Sequence, residues 1–198
     1  MTDISSEQVK ELRERTGISV MECKEVLEEA NGDIDKAVTL LDERGSKKAA
    51  KKAERELGSG VINAYVHANK KAGAMIELCC ETDFVARNEE FQELAYNIAM
   101  HIAAMDPEYI REDEIDEEEK EELKNSLVDE ELEEKPEDIQ EEIIAGKMEK
   151  YLSENVLMSQ PYVKDDEKTI EEIIEDAVQK FGENIAVGEA ARFETIDR

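Results

Sequence analysis

Two histidines, three cysteines and an abundance of carboxylates are the side chains here that could do chemistry. His67 and His101 could each act as a base, but they fall in different predicted elements and neither is spaced against a nucleophile. A partner-facing or hydrogen-bonded structural role is the reading their positions favour. Cys79 and Cys80 are adjacent on a predicted strand, so one points in and the other out. Two reduced thiols are favoured there over a vicinal disulfide. The chain holds no G-x-x-x-x-G-K-[ST] phosphate loop, no H-E-x-x-H and no C-x-x-C. Its carboxylates gather on helical surfaces without a pocket pattern, so a glycosidase-like pair is unsupported. The expectation is a protein that makes and breaks no covalent bond and needs no cofactor and no metal.

An aromatic residue offers a different kind of chemistry. In "CCETDFVARNEEF", residues 79–91, Phe84 falls between an apolar strand-like run and the start of a helix. The chain has only four phenylalanines, and a core phenylalanine normally sits inside a periodic pattern, not where one breaks. Spacing alone favours a hydrophobic staple for the helix capped by Asn88, or packing in a sheet–helix corner. The other reading is a ring displayed for a second molecule.

The elements that must position this run are legible around it. Residues 1–45 predict a bundle of three short helices. Ser5 and Gln8 have capping-box spacing, Val9 and Leu12 share a face, and Gly17 ends the first helix. Ser19 and Glu22 repeat the plan, with Met21, Val26, Leu27 and Ala30 as an apolar stripe. Asp33 caps a third helix with Ile34, Ala37, Val38 and Leu41 inward and a stop at Gly45. Residues 46–59 predict a helical basic linker, with Lys47, Lys48, Lys51, Lys52 and Arg55 against Glu54 and Glu56. The run could touch RNA or acidic protein, but without interleaved aromatics a solvated linker is favoured.

At residue 60 the period changes from 3.6 to 2, and two strands flank "HANKKAG". Val61, Asn63, Tyr65 and His67 share one face, and Ile62, Ala64 and Val66 the other; Ala74, Ile76, Leu78 and Cys80 alternate with Met75, Glu77, Cys79 and Glu81. A lone hairpin is unstable, and the alternation of Ile185, Val187 and Phe193 near the end supplies a third strand. Between them lie a helix over 88–105 with Phe91, Leu94, Ala95, Ile98, Ile102 and Met105 in one stripe, a helix starting at Pro136, a loop at "SQPYVKDDEK", and a helix from Thr169 to Gly182. The fold class is α+β: a three-helix bundle, a linker, and over 60–198 a small antiparallel three-stranded sheet packed with helices.

Residues 108–142 form an acidic helical arm with 19 acidic and 4 basic residues, a net of -15 out of a whole-chain charge of -28. A chain that acidic repels phosphate backbones and anionic lipid, which argues against direct nucleic-acid or membrane partners. No apolar run approaches membrane-spanning length. "MTDISSEQ" lacks the features of a signal peptide, and three cysteines make no disulfide framework, so a cytoplasmic location is expected.

"ETDFVARN" at 81–88 resembles the T-D-F-V-A motif of the elongation factor Ts family. "LRERTG" at 12–17, "ANGDIDKA" at 30–37, "SKKAAKKA" at 46–53, "HIAAMDPEYI" at 101–110, "SQPYV" at 159–163 and "FGENIAVGEAARFE" at 181–194 resemble that family in order and spacing. The resemblance covers nearly the whole chain, the acidic arm least. It implies a guanine-nucleotide exchange factor for elongation factor Tu, with a ubiquitin-associated-type bundle docking on that partner's nucleotide domain. It implies that Asp83 and Phe84, flanked by Thr82 and Val85, are the working tip, the ring wedging between partner helices and disturbing bound magnesium. Arg13, Val20 and Met21 match docking contacts in the bundle. His67, Phe181 and Gly182 match positions that press near the phosphate-binding loop. Val20 stands where the family usually has methionine, and Cys79 where it often has asparagine. Longer members carry two copies of the core sheet module and this chain has one, so a homodimer giving a two-plus-two complex is expected. The competing class is a binding module without exchange activity, its bundle taking a ubiquitin-like or ribosomal partner.

Overall fold

The computed structural model describes residues 4–128 and 136–195; the part of the acidic arm at 129–135 lies outside the described residues. The chain is α+β, with a three-stranded antiparallel sheet, helices before its first strand and helices between its second and third strands. Its contacts fall into two units. The first takes the chain up to Val61, Leu78–Glu93 and Glu172–Gly188; the second takes Ile62–Glu77, Leu94–Glu171 and the chain from Glu189 on.

The first unit opens with three helices. In α1, Ser6–Thr16, Gln8 N–H donates to Ser5 Oγ at 3.2 Å and Ser5 N–H donates to Gln8 Oε1 at 3.0 Å, a complete capping box. Gly17, at φ 72°, closes the helix in the left-handed region. Ser19 caps α2, Val20–Glu29, and Asp33 caps α3, Ile34–Lys52. Leu12, Ile18, Cys23, Val26, Leu27, Ala37 and Leu41 form their core. Met21 does not join it. Residues 23, 26, 27 and 30 share one helical face, and 21 lies about 200° round the axis from 23. Met21 is therefore 71% exposed, and Cys23 takes the inward place.

The third helix also departs from expectation, running through Gly45 to Lys52. Gly45 is buried, and a Cβ there would meet Gln179 Oε1 at 3.1 Å. The glycine makes room for a neighbouring helix and terminates nothing. Its cost inside a helix is about 1 kcal/mol relative to alanine, which the flanking turns absorb. Residues 53–58 then lead, without helix, into the sheet.

Strands β1 (Ser59–Val66), β2 (Ala72–Cys80) and β5 (Ile185–Glu194) lie in the order β1-β2-β5, so the late segment does supply the third strand. Ala74, Ile76, Leu78 and Cys80 are buried while Met75 and Glu77 face out, as the period of two requires. Ile185 and Val187 are buried, but Phe193, on the same expected stripe, is 71% exposed.

Helix α5 (Glu89–Met105) belongs to the second unit from Leu94 on, and there it carries Ala95, Ile98, Ala99 and Ile102 into the interior. Two acidic helices follow, α6 (Glu117–Ser126) and α7 (Glu137–Asn155), the latter beginning just after Pro136. The stretch expected to be a loop contains β3 (Pro161–Tyr162) paired antiparallel with β4 (Asp165–Thr169) around a turn at 163–164. Strand β4 reads "DDEKT" and has no apolar alternation to reveal it; backbone pairing across a tight turn makes it a strand. Helix α8, Ile170–Phe181, is cut so that its later turns belong to the first unit, burying Ile174, Ala177 and Val178 there.

His101 is fully buried in the second unit. Val163 N–H donates to its Nδ1 at 3.2 Å, so Nε2 carries the proton and donates to Gln160 Oε1 at 2.9 Å. Gln160 spends its amide N–H on Glu154 O at 2.7 Å. This is a satisfied structural histidine held in one neutral tautomer, with burial pushing its pKa below the usual value and the Gln160 bond opposing that.

Candidate functional site

Strand β2 ends at Cys80, and after two intervening residues the single helical turn α4, Asp83–Ala86, begins. Val85 and Ala86 are 4% and 6% exposed, and Phe84 between Asp83 and Val85 is 84% exposed. One turn of helix divides the apolar residues by direction: those on one side anchor it, and the phenyl ring is left facing solvent. The ring staples nothing and fills no sheet–helix corner. Val85 is an anchor from inside and offers no surface to a partner.

The tip is held from three places. Ser59 Oγ, at the start of β1, donates to Asp83 Oδ1 at 2.8 Å, and Arg87 Nη2 reaches Asp83 Oδ2 at 3.2 Å. Glu183, after α8, accepts from Glu81 N–H at 3.1 Å and Thr82 N–H at 3.0 Å through Oε2, and from the Thr82 hydroxyl at 2.6 Å through Oε1. Cys80 Sγ donates to Thr82 O at 3.3 Å. Burial first, and then the charge of Glu183, pushes that thiol above its usual pKa, so it stays protonated and able to donate. Behind the turn, Asn88 Oδ1 accepts from Glu90 N–H at 2.8 Å and starts α5.

Glu81 joins these supports. Asn184 N–H donates to its Oε1 at 2.6 Å and Arg55 Nη1 lies 3.2 Å from the same oxygen. The Asn184 bond, and after it Arg55, holds the Glu81 carboxyl below the usual carboxylate range. Asn184 is buried and turns its own amide toward the carbonyls of Arg55 at 3.0 Å and Ala53 at 3.4 Å.

The other expected site residues are placed as follows. Val20 and Met21, 51% and 71% exposed, stand side by side at the start of α2, and Arg13 is exposed on α1. These belong to the first unit with the tip. So do Phe181 and Gly182, but Phe181 is half-buried and meets the Phe91 ring edge-on with centroids 5.8 Å apart. Gly182 is exposed at φ 76° and turns the chain out of α8. His67 belongs to the second unit, exposed beside Tyr65, whose hydroxyl lies 3.0 Å from Nδ1. Ser59, Glu183 and Asn184 were not expected at the site. Glu183 and Asn184 fall inside a stretch that resembles the family, but nothing in the chain order pairs them with residues 81–84.

Among the described residues no group of three His, Cys, Asp or Glu side chains could hold a metal ion. None of the described helices is long and apolar enough to cross a membrane.

Residues 2–195 match the family described as Elongation factor TS. Elongation factor Ts of Thermosipho melanesiensis is 54% identical over 194 residues, covering 96% of this chain and 97% of the relative. That of Leptospira biflexa is 50% identical over 195 residues, with 96% and 97% covered. That of Acetivibrio thermocellus is 46% identical over 192 residues, with 96% and 89% covered.

Proposed function

The chain belongs to the elongation factor Ts family, which implies nucleotide exchange on elongation factor Tu in translation elongation, and from that premise we propose that Phe84 drives the exchange. One observation carries the proposal: a large apolar ring, 84% exposed, sits on a turn whose flanking residues are tied down on every side. Full burial of such a ring in a partner's cleft is worth about 2–3 kcal/mol. A ring already displayed on a fixed backbone gives up little freedom on entering that cleft.

The wedge favours a conformation of elongation factor Tu in which magnesium and the phosphates are poorly held. Without its magnesium the charge of GDP is under-neutralised and the nucleotide leaves faster. Linkage makes the effect reciprocal: whatever factor this protein takes from nucleotide affinity, nucleotide takes from the affinity for this protein. Incoming GTP therefore displaces the exchanger. No covalent bond changes at any stage, so the protein is an exchange factor and not an enzyme of covalent chemistry.

Arg13, Val20 and Met21 dock the bundle on the nucleotide domain; the exposure of two adjacent apolar side chains on a helix whose other exposed side chains are charged supports this. His67, Phe181 and Gly182 give secondary contacts near the phosphate-binding loop. Self-association completes the assembly as two copies of each protein. The outward face of the sheet in the second unit supports it, since Ile62, Val66, Met75 and Phe193 are all exposed there.

Release of a fluorescent GDP from purified elongation factor Tu tests the reading. Phe84→Ala should fold normally and slow release at saturating exchanger by roughly 10- to 100-fold. An undiminished rate removes the wedge.

A further inference from the structure

We propose that Glu183 is a positioning residue for the exchange tip, fixing Thr82, Asp83 and Phe84 in the geometry the partner meets. The inference rests on the reading of Phe84 given above and adds to it the side chain that aims the ring.

The need arises from the chain's own path. The β2 ladder ends at Cys80 and α4 starts at Asp83, so the amides of Glu81 and Thr82 must find acceptors elsewhere. The Glu183 carboxylate takes both with Oε2 and the Thr82 hydroxyl with Oε1. Hydrogen bonds to an ionised acceptor are shorter and about twice as strong as neutral ones. Thr82 is the residue before the tip helix, yet its side chain makes no cap bond to that helix. The hydroxyl is committed to Glu183.

The clamp is itself fixed. Gly182 turns the chain at φ 76°, Asn184 is buried against the carbonyls of Ala53 and Arg55, and Ile185 is 3% exposed at the start of β5. Asn184 N–H in turn donates to the Glu81 carboxylate. The segments 81–82 and 183–184 thus grip each other reciprocally, about a hundred residues apart in the chain. A preorganised backbone matters most where an exposed ring must enter a cleft, since any tilt of the turn swings the ring.

The atoms set the choice of side chain. Glutamine at 183 keeps one acceptor but turns an NH₂ group toward donors; alanine removes both acceptors. At residue 82, serine keeps the hydroxyl and valine removes it without changing shape.

The experiment uses the full chain, purified elongation factor Tu and fluorescent GDP, titrating the exchanger to separate the saturating rate from the half-saturating concentration. Glu183→Ala and Glu183→Gln should lower the saturating rate roughly tenfold and move the half-saturating concentration less than about twofold. Thr82→Val should lower the saturating rate roughly threefold and Thr82→Ser restore it. The double variant Thr82→Val/Glu183→Ala should be no slower than Glu183→Ala alone, because both remove the same contact. If Phe84→Ala is slow in this assay while Glu183→Ala or Thr82→Val keeps the parental saturating rate, the positioning role is overturned and the wedge stands. A change confined to the half-saturating concentration also overturns it. If Phe84→Ala is undiminished, the wedge and the positioning role fall together.

Discussion

Ser59 donates its hydroxyl to Asp83 Oδ1 at 2.8 Å, joining the first residue of β1 to the first residue of the tip helix. Asp83 therefore has both oxygens engaged by its own chain, with Arg87 on the other, and under the proposed function it would orient the tip. Removing the carboxylate should cost less than removing the ring it aims.

The order of loss in stimulated GDP release should accordingly be Phe84→Ala, then Asp83→Ala, then Ser59→Ala. The last should slow saturating release by about two- to fivefold, the equivalent of one exposed hydrogen bond worth about 0.5–1 kcal/mol. Thermal unfolding of Ser59→Ala should stay close to the parental midpoint. A Ser59→Ala variant slower than Asp83→Ala contradicts this arrangement.

Docking and displacement should separate in the same titration. Met21 is 71% exposed and lies off the bundle core, so Met21→Ala should leave the unfolding midpoint unchanged. Losing its burial in a partner costs about 1–2 kcal/mol, which raises the half-saturating concentration roughly 5- to 30-fold. Arg13→Ala should act in the same direction, with little change in the saturating rate for either. A fall in saturating rate at unchanged half-saturation would mean these residues act at the tip and not in docking.

The sequence carried the bundle, the hairpin and the third strand because each has a period and a punctuating residue: Ser5 with Gln8, Gly17, and the alternation from Ala74 to Cys80. It misled where a residue type has two uses. Gly45 read as a stop because glycine ends helices, whereas here it admits Gln179. Met21 read as core because it is apolar, although its angle from Cys23 puts it outside. Phe84 stood out as a break in pattern, but spacing alone favoured burying it; only the family resemblance pointed to a displayed ring, and its supports were not legible at all. Ser59 is 24 residues from Asp83, and Glu183 is 101 residues from Thr82. Only folding brings such donors and acceptors together, and a single sequence has no periodicity at those separations.

Gly45 allows a test of the helix crossing. A Cβ at this position would stand 3.1 Å from Gln179 Oε1, a contact that a flexible amide can yield by a few tenths of an ångström. Gly45→Ala gains about 1 kcal/mol of helix propensity against that displacement and should change stability little. Gly45→Leu has no room and should destabilise by about 1–3 kcal/mol. Urea midpoints of the two variants decide it; equal stability of Gly45→Leu and Gly45→Ala would show that the helices do not cross closely at this residue.

Acid should weaken the protein through His101. Its folded pKa lies below the ordinary value of about 6.5, so between the two values the unfolded chain binds a proton that the native one refuses. Stability from this source is complete above about pH 6.5 and falls as pH drops toward the folded pKa. Glu81, held below its ordinary value, adds a second loss only at lower pH, once the solution passes below about 4.5. His101→Gln should remove the first segment of the pH dependence and keep the second. Gln160→Leu leaves the buried Nε2–H without an acceptor and should cost about 1–3 kcal/mol at pH 8. Urea unfolding of the three proteins at pH 8, 6.5, 5.5 and 4 measures these effects; an unchanged slope between pH 8 and 5.5 in His101→Gln contradicts the assignment.

Self-association through the sheet has its own test. Ile62 is 71% exposed and Phe193 is 71% exposed, and both lie on strands of the one three-stranded sheet. In a two-fold pair each residue is counted twice, once from each copy, so a single substitution places two charges at the interface. Ile62→Glu or Phe193→Glu should leave the isolated fold within about 0.5 kcal/mol, as expected for an exposed site. Either should convert a dimer to a monomer in sedimentation equilibrium, because a charge buried against apolar surface without a partner costs several kcal/mol. The parental chain should sediment at twice the monomer mass, alone and with elongation factor Tu in a two-plus-two assembly. A parental chain that is monomeric at micromolar concentration removes the homodimer. Variants that remain dimeric place the interface on a face other than the sheet.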